Sequence, residues 1–251
     1  MQWFLLIAGL AAGFVDSIAG GGGLISLPSL ALAIGPGPAS IGTNKIAGTA
    51  AALVALAVYA RKGHFDFKRS LVFAIFVGLG SFAGSRISPL IPTAYFRWFL
   101  LLTCPLILWV VLKKDLWIEK EIDPAAPVLA FKSVQPILWL TGLACGLYDG
   151  IWGPGGGTFM FLSLFFVARF PLLGALAAAK FANTCSAGVS LLSYAHQGFV
   201  QWHYGIAIGI GISIGAFFGS QCATKKAAQL VRPVLVILVL LLMGLAFSRA
   251  N

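Results

Sequence analysis

Acidic residues are scarce in this chain, and long stretches carry no charge of either sign. Only seven Asp and Glu occur among 251 residues, and residues 71–85, 98–112, 204–218 and 233–247 contain no Asp, Glu, Lys or Arg. Charged residues make up 10% of the chain and hydrophobic ones 59%, against about 25% and about 45–50% in soluble domains. A soluble domain of this length has no interior large enough for that much apolar surface. With their flanks, the uncharged runs approach the roughly 20 residues that cross a hydrocarbon core about 30 Å thick. They also lack the apolar–polar alternation of barrel strands. Backbone groups in lipid must then be paired within each segment, which requires helices.

Other absences narrow the chemistry. The four cysteines, Cys104, Cys145, Cys185 and Cys222, stand in apolar segments without a Cys-x-x-Cys pair, which argues against a zinc site or a disulfide framework. The histidines, His64, His196 and His203, fall in or beside loops without ligand spacing, so no metal is expected. No nucleophile–base pair or Asp-rich phosphate motif lies within an apolar segment, so neither enzymatic activity nor a cofactor is expected. Residues 1–13 have no basic n-region and run into Asp16 and a glycine cluster rather than a cleavage site. The first helix is therefore expected to be retained.

Basic residues are abundant by contrast: 17 Lys and Arg give a formal charge of +10. They cluster in short loops, where topology and contact with anionic headgroups explain them better than nucleic acid does. The expected partners are thus the lipid bilayer and a small solute.

The chain repeats itself. Gly13-Phe-Val-Asp16 with Gly20, Gly21, Gly22 and Gly23 matches Gly146-Leu-Tyr-Asp149 with Gly153, Gly155 and Gly156 at an offset of 133, and Gly157 extends the second cluster. At a constant offset of 135, Lys45, Thr49, Tyr59, Gly63, Gly80, Phe82, Gly84 and Ser85 then match Lys180, Thr184, Tyr194, Gly198, Gly215, Phe217, Gly219 and Ser220. A colinear series of this kind indicates duplication.

Each half reads as five apolar segments: 3–19, 24–34, 39–60, 70–90 and 95–112, then 134–152, 157–168, 172–195, 203–222 and 233–248. The expected architecture is an all-α polytopic membrane protein of two inverted-topology repeats, residues 1–112 and 134–251, joined by a charged cytoplasmic linker, residues 113–133. Each repeat has about four full transmembrane helices plus one short broken or re-entrant helix.

An odd number of segments inverts the second half relative to the first. Loop charge agrees: residues 61–69 hold Arg61, Lys62, Lys68 and Arg69, whereas residues 196–202 hold no Lys or Arg. By the positive-inside rule the first loop is cytoplasmic and the second is not. The Lys225, Lys226 and Arg232 loop also falls inside, both termini fall on the periplasmic side, and Arg86 and Arg97 fit the pattern poorly.

Three groups of residues are candidates for function. The glycine clusters open the short segments. There, successive N–H groups turned inward at left-handed φ, together with the start of a helix, would hold an anion; the other reading is close packing or a sharp bend. Lys180 lies well inside an apolar segment, where a lone charge costs at least about 2.5–3.5 kcal/mol. It and Lys45 either bind substrate, pair with Asp16 or Asp149, or reach to headgroups. Asn44, Thr49, Asn183 and Thr184 lie nearby in sequence and would add hydrogen bonds to a substrate, or serve only as glue between helices. Asp16 and Asp149 either titrate as proton-coupling groups or neutralise the lysines and cap backbone N–H groups. Tyr59 and Tyr194 read as interfacial residues at helix ends.

The duplicated Gly-x-x-Asp plus glycine cluster, Gly13-Phe-Val-Asp-Ser-Ile-Ala-Gly-Gly-Gly-Gly-Leu-Ile-Ser-Leu-Pro28, resembles the TauE/SafE family of bacterial transporters, the sulfite exporters. So do Gly42-Thr-Asn-Lys45, Gly63-His-Phe-Asp66 and Gly80-Ser-Phe-Ala-Gly84. The resemblance covers nearly the whole chain. It implies export of sulfite or an organosulfonate such as sulfoacetate across the cell inner membrane. Alternating access, with or without proton coupling, is the leading mechanism and an anion channel the alternative. The second half departs from the pattern, with Ala178-Ala-Lys180 where the first has Thr43-Asn-Lys45, which implies an asymmetric site.

Overall fold

The computed structural model describes residues 1–92, 95 and 130–248, and every regular element among them is helical. Residues 96–112 of the fifth expected segment, with Cys104 and Arg97, and residues 113–129 of the linker lie outside the described residues. The helices are α1 (Gln2–Ala19), α2 (Gly23–Ile34), α3 (Pro38–Arg61), α4 (Phe67–Ile87, extended by a 3₁₀ turn Ser88–Leu90), α5 (Ala130–Ile151), α6 (Gly156–Leu162, continued by a π-helical turn Ser163–Val167), α7 (Leu172–His196) and α8 (Trp202–Ser248).

Among the described residues five stretches are long and apolar enough to cross a membrane: Gln2–Ala19, Pro38–Arg61, Phe67–Leu90, Leu172–His196 and Trp202–Lys226. The two segments expected to be short are short. Gly23–Ile34 and Gly156–Val167 are apolar but below spanning length, and at 1.5 Å per residue the 12 residues of α2 reach only about 18 Å.

Local chemistry explains the boundaries. Helix α1 stops because Gly20 turns left-handed at φ 79° and returns its N–H to the Asp16 carbonyl, the usual glycine termination. Pro38 occupies the first turn of α3, where its missing N–H has no helical partner to lose. The Asp66 side chain caps α4 by accepting the Arg69 N–H. The expected loop at Lys225, Lys226 and Arg232 is a kink instead: the chain is helical on both sides of Lys226, the one non-helical residue there (φ −141°, ψ 35°). The Ala, Lys and Gln residues there are good helix formers, so one distorted residue suffices to redirect the chain.

Packing pairs the elements in a repeated scheme. Helix α1 lies along α8 as α5 lies along α4, and α3 and α7 pack on each other while contacting α8 and α4 respectively. The α1–α8 and α4–α5 seams are made by glycines. A Cβ on Gly13 would sit 2.0 Å from the Ile212 carbonyl oxygen, and one on Gly146 would sit 2.0 Å from that of Val77. Backbones this close need small residues, the means by which helices associate in lipid.

Helix α3 spans 24 residues, about 36 Å, so its ends mark two faces. At one end His64, Lys225 and Lys226 line a cleft with Pro171 and Gly174. At the other the side chains of Gln2 and His203 meet, and the Gln201 N–H donates to Thr43 Oγ1 at 2.9 Å.

Candidate functional site

Both chain breaks converge on one point. A Cβ on Gly20 would lie 2.5 Å from the carbonyl carbon of Gly157, and one on Gly23 would lie 3.2 Å from Cα of Pro154. The glycine clusters of the two halves therefore touch, and Thr158 Oγ1 donates across the gap to the Ala19 carbonyl at 2.8 Å.

The lysines reach this point from opposite halves and exchange partners. Lys45 Nζ lies 2.9 Å from Asp149 Oδ2 and also donates to the Asp149 carbonyl. Lys180 Nζ lies 2.5 Å from Asp16 Oδ2 and donates to the Asp16 carbonyl at 2.5 Å. Residues 16 and 149 lie in the last turns of α1 and α5, where the helix dipole is negative. Each cation thus meets a carboxylate and a helix C-terminus together. All four side chains are at most 7% exposed. Breaking such a pair by removing one member costs about 3–5 kcal/mol, because the remaining charge is stranded.

The two carboxylates are not held alike. Asp16 Oδ1 accepts the Gly22 N–H at 3.1 Å, a backbone donor that cannot move away. Asp149 Oδ2 accepts the hydroxyl of Ser186 at 2.5 Å. The asymmetry extends to the asparagines. Asn44 Oδ1 accepts from Ser26 Oγ at 2.6 Å, and its Nδ2 lies 3.7 Å from where a Gly23 Cβ would stand. The Asn183 Nδ2 lies 3.5 Å from the corresponding point on Gly157. Both amides therefore face the glycine breaks.

Some expected residues behave differently. Thr49 Oγ1 donates to the Lys45 carbonyl at 2.7 Å and Thr184 Oγ1 to the Lys180 carbonyl at 2.8 Å, so both hydroxyl protons are committed to their own helices. Left-handed φ occurs at Gly20, Gly153 and Gly155 but not at Gly22, which is helical at φ −58°. Gly22 is instead a steric requirement, since a Cβ there would fall 2.4 Å from Cβ of Asp16. At Gly153 a Cβ would stand 3.3 Å from Lys45 Nζ, and at Gly156 one would stand 2.5 Å from Asp149 Oδ1.

Tyr59 and Tyr194 are not interfacial. Both are fully buried, and their hydroxyls donate to the carbonyls of Ser17 at 2.6 Å and Gly150 at 2.8 Å, bracing the helix just beyond each aspartate. Their match in the repeat was the available signal, because an interfacial residue has no reason to recur at one offset. Ser26, Thr158 and Ser186 also touch the site, and isolated Ser or Thr in an apolar helix gives no sequence signal of that. Among the described residues no group of three His, Cys, Asp or Glu is placed to hold a metal.

Comparison with known proteins agrees with this architecture. The family model described as sulfite exporter TauE/SafE matches residues 5–247. Three relatives carry the description probable membrane transporter protein. One from a Sinorhizobium species is 33% identical over 93% of this chain and 87% of its own length. One from Haemophilus influenzae is 32% identical over 93% and 89%. YfcA of Escherichia coli K12 is 30% identical over 93% and 84%. No solved structure matches.

Proposed function

The chain belongs to the sulfite exporter TauE/SafE family, and we propose that this membrane transporter is a secondary carrier exporting sulfite or a small organosulfonate across the bacterial inner membrane. The observation that carries the reading is the meeting of two buried lysines with two glycine breaks. Cationic ammonium groups, amide N–H groups of Asn44 and Asn183, and backbone exposed by missing side chains are the donors that a tetrahedral or pyramidal oxyanion needs.

In this closed arrangement each lysine is occupied by an aspartate. An incoming anion would replace a carboxylate at a lysine, and the freed carboxylate would take up a proton or move away. Substrate binding and helix rearrangement are linked in that way, as alternating access requires. The reading places the halves in inverted orientation, with the basic face of His64, Lys225 and Lys226 cytoplasmic and the face of Gln2 and His203 periplasmic. It is supported by the reciprocal lysine–aspartate exchange, by the repeated packing scheme and by the segregation of basic residues.

Thermal stabilisation of the purified protein by sulfite, sulfoacetate, sulfate and carboxylates would test this. Stabilisation by a sulfur oxyanion is expected in the native chain. It should be reduced more by Lys180→Gln than by Lys180→Arg, which keeps the charge but alters its geometry. A folded Lys180→Gln protein that binds and transports like the native one would remove the lysine from the site.

A further inference from the structure

The repeat makes one comparison decisive: what surrounds each carboxylate in one half and what stands at the matched positions in the other. Around Asp149 lies a chain of buried hydroxyls. Ser186 Oγ donates to Asp149 Oδ2 at 2.5 Å and lies 2.9 Å from Ser81 Oγ; Ser81 Oγ donates to the Ser186 carbonyl at 2.9 Å and is also hydrogen-bonded to Ser190 Oγ. All three serines are fully buried. One turn further along α7, Ser193 Oγ accepts from Gln197 Nε2 at 3.1 Å, and Gln197 terminates the helix on the face of Gln2 and His203.

At the offset of 135, the counterparts of Ser186, Ser190 and Ser81 are Ala51, Ala55 and Ala216. All three alanines are fully buried. Among the described residues no corresponding chain of hydroxyls leads to Asp16, which is held by Lys180 and the Gly22 N–H.

The geometry points to a one-sided proton relay: Ser190, Ser81 and Ser186 deliver a proton to Asp149 from the Gln197 face, making Asp149 the coupling carboxylate and leaving Asp16 outside the proton path. Ser193 and Ser190 are neighbours on one helix face, and the relay is entered at that turn. Once Ser81 rotates its O–H from the Ser186 carbonyl to Ser186 Oγ, each hydroxyl passes its own proton forward and receives one from behind, so the serines end unchanged. The Asp149 carboxylate becomes a neutral acid, and Lys45 keeps its proton but loses its counter-charge. A proton taken up here therefore opens Lys45 to an anion, and anion affinity rises as pH falls.

The other ionisable groups around Asp149 do not duplicate this path. Lys45 from α3 is its ion partner. Cys145 on α5 faces Ser163 at 3.6 Å, Tyr194 from α7 donates to the Gly150 carbonyl, and α4 presents Ser81. The relay rests on the transport reading only in what the proton is for, so its test needs no substrate.

Infrared difference spectra of the full-length protein in liposomes, recorded as pH is lowered without anion, should show a protonated-carboxyl band of a buried acid, distinct from those of the exposed acids. The band should persist in Asp16→Asn and vanish in Asp149→Asn; should the latter not fold, Asp149→Glu should shift the band instead. After a pH jump on the Gln197 side, the band should rise more slowly in Ser81→Ala and Ser190→Ala by about a hundredfold, the low end of what positioned proton-transfer groups contribute. A band belonging to Asp16, or native rates in both serine variants, would overturn the relay. Native-like band and rate behaviour with no response to any sulfur oxyanion would uphold the relay and sink the transport reading instead.

Discussion

Lys180 Nζ stands 2.5 Å from the carboxylate of Asp16, a residue 164 positions away in the other half of the chain, and Lys45 stands in the same relation to Asp149. Two buried ion pairs formed by reciprocal exchange fasten the halves to each other at the breaks in their helices. Because neither member of a pair reaches water, each charge depends on its partner for its presence in the membrane.

Neutralising one member should therefore harm the fold more than neutralising both. Asp16→Asn leaves Lys180 buried and unpaired and is expected to lower stability by about 3–5 kcal/mol. The double variant Asp16→Asn, Lys180→Gln should recover most of that loss. Thermal or denaturant unfolding in detergent measures both, and a double variant no more stable than the single one would show that the pair is not the source of the effect.

The glycine substitutions should separate by cause. Gly22→Ala drives a methyl into Asp16, 2.4 Å from its Cβ, so it should disturb the ion pair and reduce the yield of folded protein. Gly155→Ala carries mainly the penalty of left-handed φ at 78°, about 1–2 kcal/mol, and should leave insertion intact while weakening anion binding. Affinity and melting temperature measured on monodisperse variants distinguish the two.

The helix seams offer a graded series. Gly13→Ala and Gly146→Ala each place a Cβ 2.0 Å from a facing carbonyl oxygen, and overpacking of this kind costs typically about 1–3 kcal/mol. Both should melt lower, and by similar amounts, because they occupy matched seams. Gly78→Ala in α4 and Gly188→Ala in α7 meet nothing within 4 Å and should be neutral or stabilise by up to about 1 kcal/mol through helix propensity.

Orientation is checked by single cysteines at Lys62 and His196, exposed positions at the ends of α3 and α7, in a chain with the four native cysteines replaced. An impermeant thiol reagent applied to sealed cells should label His196→Cys and spare Lys62→Cys until the membrane is opened. Equal labelling of both from one side would sink the inverted arrangement.

Much of this protein is decided locally and is legible in the sequence by itself. Apolar runs too long and too uniform for a soluble core dictate membrane helices, because unpaired backbone is intolerable in lipid. The colinear matches from Lys45 to Ser85 betray the duplication, and the glycine clusters mark where α1 and α5 must stop. Partnership is another matter. Nothing near Lys45 in sequence distinguishes Asp149 from Asp16. Ser81, Ser186 and Ser190 look like scattered small residues, and Gly22 looks like Gly155, although one is helical and the other left-handed. Those distinctions arise from tertiary contacts, the Lys45–Asp149 and Ser81–Ser186 contacts among them joining residues more than a hundred positions apart. The packing of α3 and α7 between the two glycine seams brings them together, and only the tertiary structure decides which polar groups, all excluded from water, satisfy one another.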